Sequence, residues 1–279
     1  MKIGLSLGGG GARGYAHLGV IRALKEADIP IDLINGTSIG AVMGGGYALY
    51  NDVDKFINLV KQVIHKSNIN YYNIFHSQSD SQSFLRTWLL EAVCDIASLR
   101  SSIQSNRNQL KALRAVFGEH TFADTKIPFS SVAHDLISGK TVIFKKGKLV
   151  DGILPSVTLP GIFPPVRHGN RLLVDGYVLA NTPVHELRIQ GADFIIAVEL
   201  ISSDERPYEN GLDLLNGIED MKQRQLENWK IAEADFHIKV NFERYTPERF
   251  ENYETAMKLG YDTTKPVLAE LLRMLEKNG

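Results

Sequence analysis

The chain is short of several features that would settle its class at once. Of its 279 residues one is a cysteine, Cys94, so no intrachain disulfide can form. Cys94 ends the apolar stretch Trp88 to Cys94, which reads as helix, and is expected to be a small buried hydrophobe rather than a reactive thiol. Neither sign of charge is in excess. Lys plus Arg number 31 and Asp plus Glu 32, a formal net charge of −1, which excludes the broad basic footprint of a nucleic-acid-binding protein. Long hydrophobic runs are missing too. The longest uncharged stretch, Leu33 to Asn51, holds Asn35, Thr37, Ser38 and five glycines and makes a poor membrane span. Met1 to Leu7 runs directly into glycines, leaving no room for the apolar region of a signal peptide. The eight histidines show no metal-ligand spacing, and His185-Glu186 lacks a second histidine at the required offset. The expectation is a cytoplasmic protein, peripheral to a membrane at most, with no metal, no cofactor and no nucleic-acid partner.

What is present is a hydrophobic content of 44%, enough for a sizeable core, with no linker-like stretch to divide it. Lys2 to Leu7 reads as a strand, Gly8 to Gly14 as a loop, Tyr15 to Ala27 as a helix, Ile31 to Asn35 as a strand and Ser38 to Tyr50 as a helix. Strand, helix, strand, helix with short joints predicts an α/β fold: a single domain, 1–279, with a mostly parallel central sheet and helices on both faces. Val53 to Ile64 is amphipathic, and with the helical pattern of about 84–117 it predicts a helical cap or insert over 51–120. Phe129 to Ala133 and Thr141 to Phe144 read as a hairpin through Ser138-Gly139-Lys140. Arg171 to Val174 and Phe194 to Leu200 read as buried strands. Pro183 to Ile189 reads as a short helix with Thr182 as N-cap. The part 203–279 is expected to be mostly helical, with one strand at Phe236 to Val240.

Two glycine motifs carry the chemistry. Gly8-Gly9-Gly10-Gly11-Ala12-Arg13-Gly14 lies between a strand and a helix, where glycines bare main-chain N–H groups to an anionic oxygen. Its Gly9, Gly11 and Gly14 also satisfy G-x-G-x-x-G, but a dinucleotide site wants an acidic residue closing the second strand, and that strand leads instead into Gly36-Thr37-Ser38-Ile39-Gly40. This second motif is G-x-S-x-G at a strand-to-helix turn. There a strained serine lifts its hydroxyl clear of the sheet, the flanking glycines let neighbouring segments pass close, and the N–H of Ile39 points toward an oxyanion. Both loops leave the C-terminal edge of a parallel sheet. One therefore supplies a nucleophile and the other oxyanion donors, each worth about 3 kcal/mol in a known protease.

The base is less legible. His185 or His237 could complete an order Ser…Asp…His, yet only one strand–helix unit precedes Ser38, which argues against the ordinary α/β-hydrolase scaffold. Read alone, Asp175-Gly176 between apolar runs is a two-residue hairpin turn. The series Gly9 to Gly14, Gly36 to Gly40, Pro160-Gly161-Ile162-Phe163-Pro164-Pro165 and Leu173-Val174-Asp175-Gly176 resembles the ordered motifs of bacterial patatin-like phospholipases. The likeness is dense over 2–50 and 155–200 and thin elsewhere.

The resemblance implies a three-layer sandwich and a serine acyl hydrolase, a phospholipase A-like esterase with a Ser38–Asp175 dyad and no catalytic histidine. It places the oxyanion on the amides of Gly9, Gly10 and Gly11 with Arg13 beside them, and implies a lipid or small ester substrate and transient contact with a membrane surface. Gly14, Gly36, Gly40 and Gly176 are the supporting motif positions. The chain departs from the family at Tyr177, where a small residue is usual. Against the hydrolase stand a regulator of the same fold without turnover and a dinucleotide-binding oxidoreductase. His17 is expected to be a structural hydrogen-bonding residue, His134-Asp135 a surface turn, Tyr71 to Phe75 mainly core, and 76–83 a lid.

Overall fold

In the computed structural model, residues 1–67, 105–201, 210–242 and 253–278 are described; Cys94, the aromatic stretch Tyr71 to Phe75 and the expected lid at 76–83 lie outside them. Strand β1 (Ile3–Leu7) passes through a 3-10 turn (Gly11–Gly14) into helix α1 (Tyr15–Glu26), and β2 (Leu33–Thr37) passes into α2 (Ile39–Tyr50). Next come α3 (Val53–Ser67), α4 (Arg107–Phe117), β3 (Phe129–Asp135), β4 (Lys140–Phe144), α5 (Leu149–Ser156), β5 (Val166–His168) and β6 (Arg171–Asp175). A 3-10 turn (Gly176–Val178) leads to α6 (Val184–Arg188), β7 (Phe194–Ile201), α7 (Gly211–Ile231), β8 (Phe236–Asn241), α8 (Tyr253–Thr264) and α9 (Leu268–Asn278).

The strands form one eight-stranded sheet. Strands β3, β2, β1, β7 and β8 run parallel in that order, and β4, β5 and β6 add antiparallel pairing at the β3 end. β7 shows how the sheet is covered. Its Phe194, Ile196, Val198 and Leu200 enter the larger core under α1, α2 and α8, while Ile195 and Ala197 meet Val184, Leu187 and Ile231 on the other face. Two-residue alternation thus buries both faces, as a parallel sheet requires.

Several local expectations shift. β2 begins two residues later than its apolar run suggests, because Asp32 is spent at its entrance: its N–H donates to Ile3 O and its carboxylate accepts from Ile3 N. The short helix is capped by Pro183 and not Thr182. His134 and Asp135 do not form a surface turn. They end β3, only 5% and 3% exposed, and the Asp135 carboxylate accepts from Ile137 N, Ser138 Oγ and Leu172 N, so the hairpin is tied from inside. The tail contributes a sheet strand, β8, as well as helices.

One feature of the sheet positions everything that follows. β3 pairs with β4 along Ser131 to Asp135, and on its opposite edge it pairs first with β2, ending at Thr37↔Val132, and then with β6, starting at Ala133↔Asp175. β6 therefore takes over the edge that β2 vacates. Because β6 runs antiparallel, its last residue, Asp175, arrives next to the point where β2 turns into Ser38.

Candidate active site

Ser38 sits between β2 and α2 at φ 55°, ψ −125°, a conformation that non-glycine residues adopt only when their surroundings enforce it. The enforcement is close packing of glycine backbones. A Cβ on Gly36 would stand 2.4 Å from the Gly40 carbonyl, and one on Gly40 would stand 2.2 Å from Leu7 O. Gly14 gives the same closeness on the other side, where a Cβ would lie 2.1 Å from the Ile39 side chain. The Ser38 N–H is held by Ser156 Oγ at 3.0 Å, and that hydroxyl donates to Val132 O at 2.6 Å. Ser156, fully buried at the end of α5, is a site residue that sequence reasoning missed.

Asp175 is fully buried. It caps the 3-10 turn that follows it, accepting from Tyr177 N at 2.9 Å, so Asp175-Gly176 is not a hairpin turn. Gly176 lets the chain fold back across β3 and β2, with a Cβ placed 2.7 Å from Val132 O. The Asp175 pKa is pushed up to about 7. Burial disfavours the charged carboxylate, and the Tyr177 N–H and the nearby Ser38 hydroxyl only partly offset it. Its second oxygen, Oδ2, is buried with no closed hydrogen bond. The Ser38 hydroxyl is near enough to favour the carboxylate without sealing that bond, an approach that commonly tightens only when substrate binds.

The glycine loop runs beside Ser38: a Cβ on Gly9 would lie 3.3 Å from Ser38 Cβ. The expected donors, Gly9, Gly10, Gly11 and Ile39, are reduced by one. The N–H of Gly9 is engaged by Asn181 O at 3.2 Å, so Gly9 provides close approach rather than a donor. Among the described residues the N–H groups of Gly10, Gly11 and Ile39 have no backbone acceptor. Arg13 does not point its Nε at the oxyanion position but donates it to Gly10 O at 3.0 Å, bracing the loop. His17 braces it as well. Its Nε2 meets Gly8 O at 2.7 Å, and burial lowers its pKa to about 4, so the ring is neutral and that nitrogen donates.

The segment Gly176 to Pro183 straps the parts together. Thr37 Oγ1 donates to Ala180 O, Asn35 Nδ2 donates to Pro183 O, and Asn181 O holds Gly9. Thr37 and Asn35, polar residues interrupting a buried strand, were the signal available in the sequence. The Tyr177 ring is 36% exposed. Its hydroxyl pKa is raised by burial first, then by the charges of Asp220, Glu219 and Asp175, against Arg13. Neither histidine of the alternative triad acts on Asp175. His185 meets Glu233 at 3.3 Å and His237, on the far edge strand β8, meets Glu199 at 3.1 Å.

Comparison with known proteins gives this geometry a context. Residues 5–188 match the family model described as patatin-like phospholipase. A lysophospholipase NTE1 of Debaryomyces hansenii is 33% identical over 219 residues, covering 77% of this chain and 13% of that protein. An uncharacterized NTE family protein of Mycobacterium bovis is 33% identical over 206 residues, covering 74% of this chain and 51% of its own. The chain thus spans about half or less of the length of these relatives. Among solved structures, VipD from Legionella pneumophila shares the fold at TM-score 0.55 and 16% identity, over 96% of this chain and 67% of VipD. Human GIVD cytosolic phospholipase A2 shares it at TM-score 0.53 and 12% identity, over 99% and 58%.

Proposed function

Because the chain belongs to the patatin-like phospholipase family, we propose that it is a serine acyl hydrolase of lipids or small esters, working through an acyl-enzyme with Ser38 as nucleophile and Asp175 as base. The observation that carries this reading is the meeting of a strained serine, only 5% exposed, with a fully buried aspartate whose pKa lies at about 7.

An ordinary aspartate is too weak a base to take a hydroxyl proton, and one that titrates near neutrality is better matched to the task. In the first half-reaction Ser38 Oγ attacks the ester carbonyl and its proton passes to Asp175 Oδ2. The oxyanion is held by the N–H groups of Gly10, Gly11 and Ile39, aimed where charge develops. Collapse breaks the acyl–oxygen bond, and the departing alcohol takes the proton back from Asp175. In the second half a water gives a proton to Asp175 as it attacks the acyl-enzyme, and the carboxylic acid leaves Ser38 with its proton restored. The Tyr177 N–H occupies Oδ1, which leaves Oδ2 as the oxygen free to take the proton.

A lipid substrate accords with what this chain resembles: one relative is a lysophospholipase, and a protein of the same fold, a cytosolic phospholipase A2, was solved in complex with methyl γ-linolenyl fluorophosphonate. A fluorophosphonate is therefore the direct probe. The expected result is one covalent adduct that peptide mapping assigns to Ser38, absent in Ser38→Ala, together with turnover of a p-nitrophenyl ester. Well-folded protein that neither labels nor turns over would instead be a non-catalytic regulator of the same fold.

A further inference from the structure

Helix α4 follows apolar helical spacing with one exception. Its buried positions are Gln109, Ala112, Leu113, Val116 and Phe117, the i, i+3, i+4, i+7, i+8 series of a helix face turned to a core. Gln109 opens that series with a polar side chain that is only 7% exposed. Its Nε2 donates to Val157 O at 2.8 Å, and its Oε1 is buried with no hydrogen bond. A buried amide left half satisfied costs stability against an apolar side chain of the same size. What the position gains is the bond to Val157 O.

That carbonyl stands at a junction. The last carbonyls of a helix have no donor within it, and α5 ends at Ser156 with Val157 as its C-cap. Over three consecutive residues this end is tied to both members of the proposed dyad. Ser156 Oγ accepts from Ser38 N at 3.0 Å, and Thr158 O accepts from Asp175 N at 2.8 Å. Ser156 is fixed in turn to Val132 O and Thr158 Oγ1 to Leu154 O. The Val157 carbonyl between them is held from outside, by α4.

We propose that Gln109 is a positioning residue for acyl transfer: by holding Val157 O it fixes the three-residue bridge that sets the spacing of Ser38 and Asp175. The inference rests on the acyl-hydrolase reading and extends it to a residue of α4 that acts through the bridge and not on the substrate. Asn106, one turn earlier, supplies a matched comparison. Its Nδ2 donates to Pro164 O, also at 2.8 Å, so the same end of α4 makes an equal bond to the chain beyond the bridge. Without a donor on Val157 O the bridge loosens, and the Ser38 hydroxyl is no longer kept near Asp175. That hydroxyl favours the charged carboxylate, so its retreat moves the Asp175 midpoint upward, which a loss of stability alone does not do.

The test uses the full chain and a soluble p-nitrophenyl ester. Gln109→Met keeps the volume and removes the donor, Gln109→Asn keeps an amide one methylene short as a milder second variant, and Asn106→Ala removes the comparison bond; circular dichroism checks the fold of all three. Gln109→Met is expected to lower kcat about tenfold with KM within about twofold, and to slow fluorophosphonate labelling of Ser38 in step. It should also raise the Asp175 midpoint, read by carboxyl carbon-13 NMR, by at least about 0.3 pH units. Gln109→Asn should fall between Gln109→Met and wild type. Asn106→Ala should leave kcat within about twofold and the midpoint in place. A folded Gln109→Met with wild-type kcat and an unmoved midpoint would overturn the proposal, as would the same result for Gln109→Asn should Gln109→Met fail to fold. So would losses in Asn106→Ala equal to those of Gln109→Met. A wild type that neither turns over ester nor labels would sink the hydrolase reading, while the NMR midpoint would still decide whether Gln109 sets the spacing of Ser38 and Asp175.

Discussion

Two aspartates end adjacent antiparallel strands of the same sheet, Asp135 on β3 and Asp175 on β6, and both are covered, at 3% and 0% exposure. Asp135 is met by the Ser138 hydroxyl first, then by the N–H groups of Leu172 and Ile137, and its pKa falls below the ordinary carboxylate range. Asp175 receives one main-chain N–H and the partial help of Ser38, burial dominates, and its pKa rises to about 7. What separates the structural carboxylate from the candidate base is therefore depth together with donors: hydrogen bonds outweigh burial at Asp135, and burial outweighs them at Asp175. Leaving one oxygen of Asp175 without a closed bond costs stability and creates basicity.

The comparison breaks if the two residues respond alike to mutation. The largest expected effect is on turnover: Asp175→Asn, like Ser38→Ala, should lower kcat on a soluble ester by at least about 10³-fold. Asp135→Asn should leave kcat within about threefold while lowering the melting temperature.

Stability against pH should sharpen it, because the two shifts have opposite signs. Asp175 has its folded pKa raised from 3.8 to about 7. Between those values the folded state holds a proton that the unfolded state has lost, so stability falls as pH rises from about 4 to about 7, by up to about 4 kcal/mol for this residue. Asp175→Asn should then be more stable than wild type at pH 8 and close to it at pH 4, by denaturant melts at both. Asp135, with its pKa lowered, contributes stability that is present above the ordinary aspartate pKa and lost as pH falls through the folded value. Asp135→Asn should be least stable relative to wild type near neutral pH. Activity should rise with pH through about 7 as Asp175 ionises.

A smaller effect is expected where the nucleophile's backbone is held. Ser156→Ala leaves the buried Ser38 N–H without its acceptor, which should cost about 1–3 kcal/mol of stability and lower kcat by about 10–100-fold with KM little changed. The smallest concerns Tyr177. Its main chain serves Asp175 and its side chain is partly exposed, so Tyr177→Ala should change kcat/KM on a small ester by less than about fivefold. A loss as large as that of Asp175→Asn would assign the ring a role in the site itself.

How much of this could be read in advance depended on distance along the chain. The elbow was legible because its cause is local: Gly36 and Gly40 sit where backbones pass too close for a side chain, and a serine between strand and helix has few other conformations. The hairpin of β3 and β4 and the strands β6, β7 and β8 were legible from alternation and turn residues. His134 and Asp135 were misread because a polar pair before a turn looks solvent-facing until Leu172 arrives from a distant strand to bond the carboxylate. The N-cap of α6 was displaced by one residue because the strap, not the helix, sets the geometry there. Ser156 left no local signal at all.

Composition and spacing by themselves determined that this chain would build a sheet with a glycine-packed serine turn beside a second glycine loop, since those features follow from steric limits acting within a few residues. Only the tertiary structure decided that β6 would replace β2 along the edge of β3 and bring Asp175 to Ser38. It alone spent the Gly9 N–H on Asn181 and raised the pKa of Asp175. Burial and hydrogen-bond supply are properties of the assembled surroundings, and no stretch of sequence carries them alone.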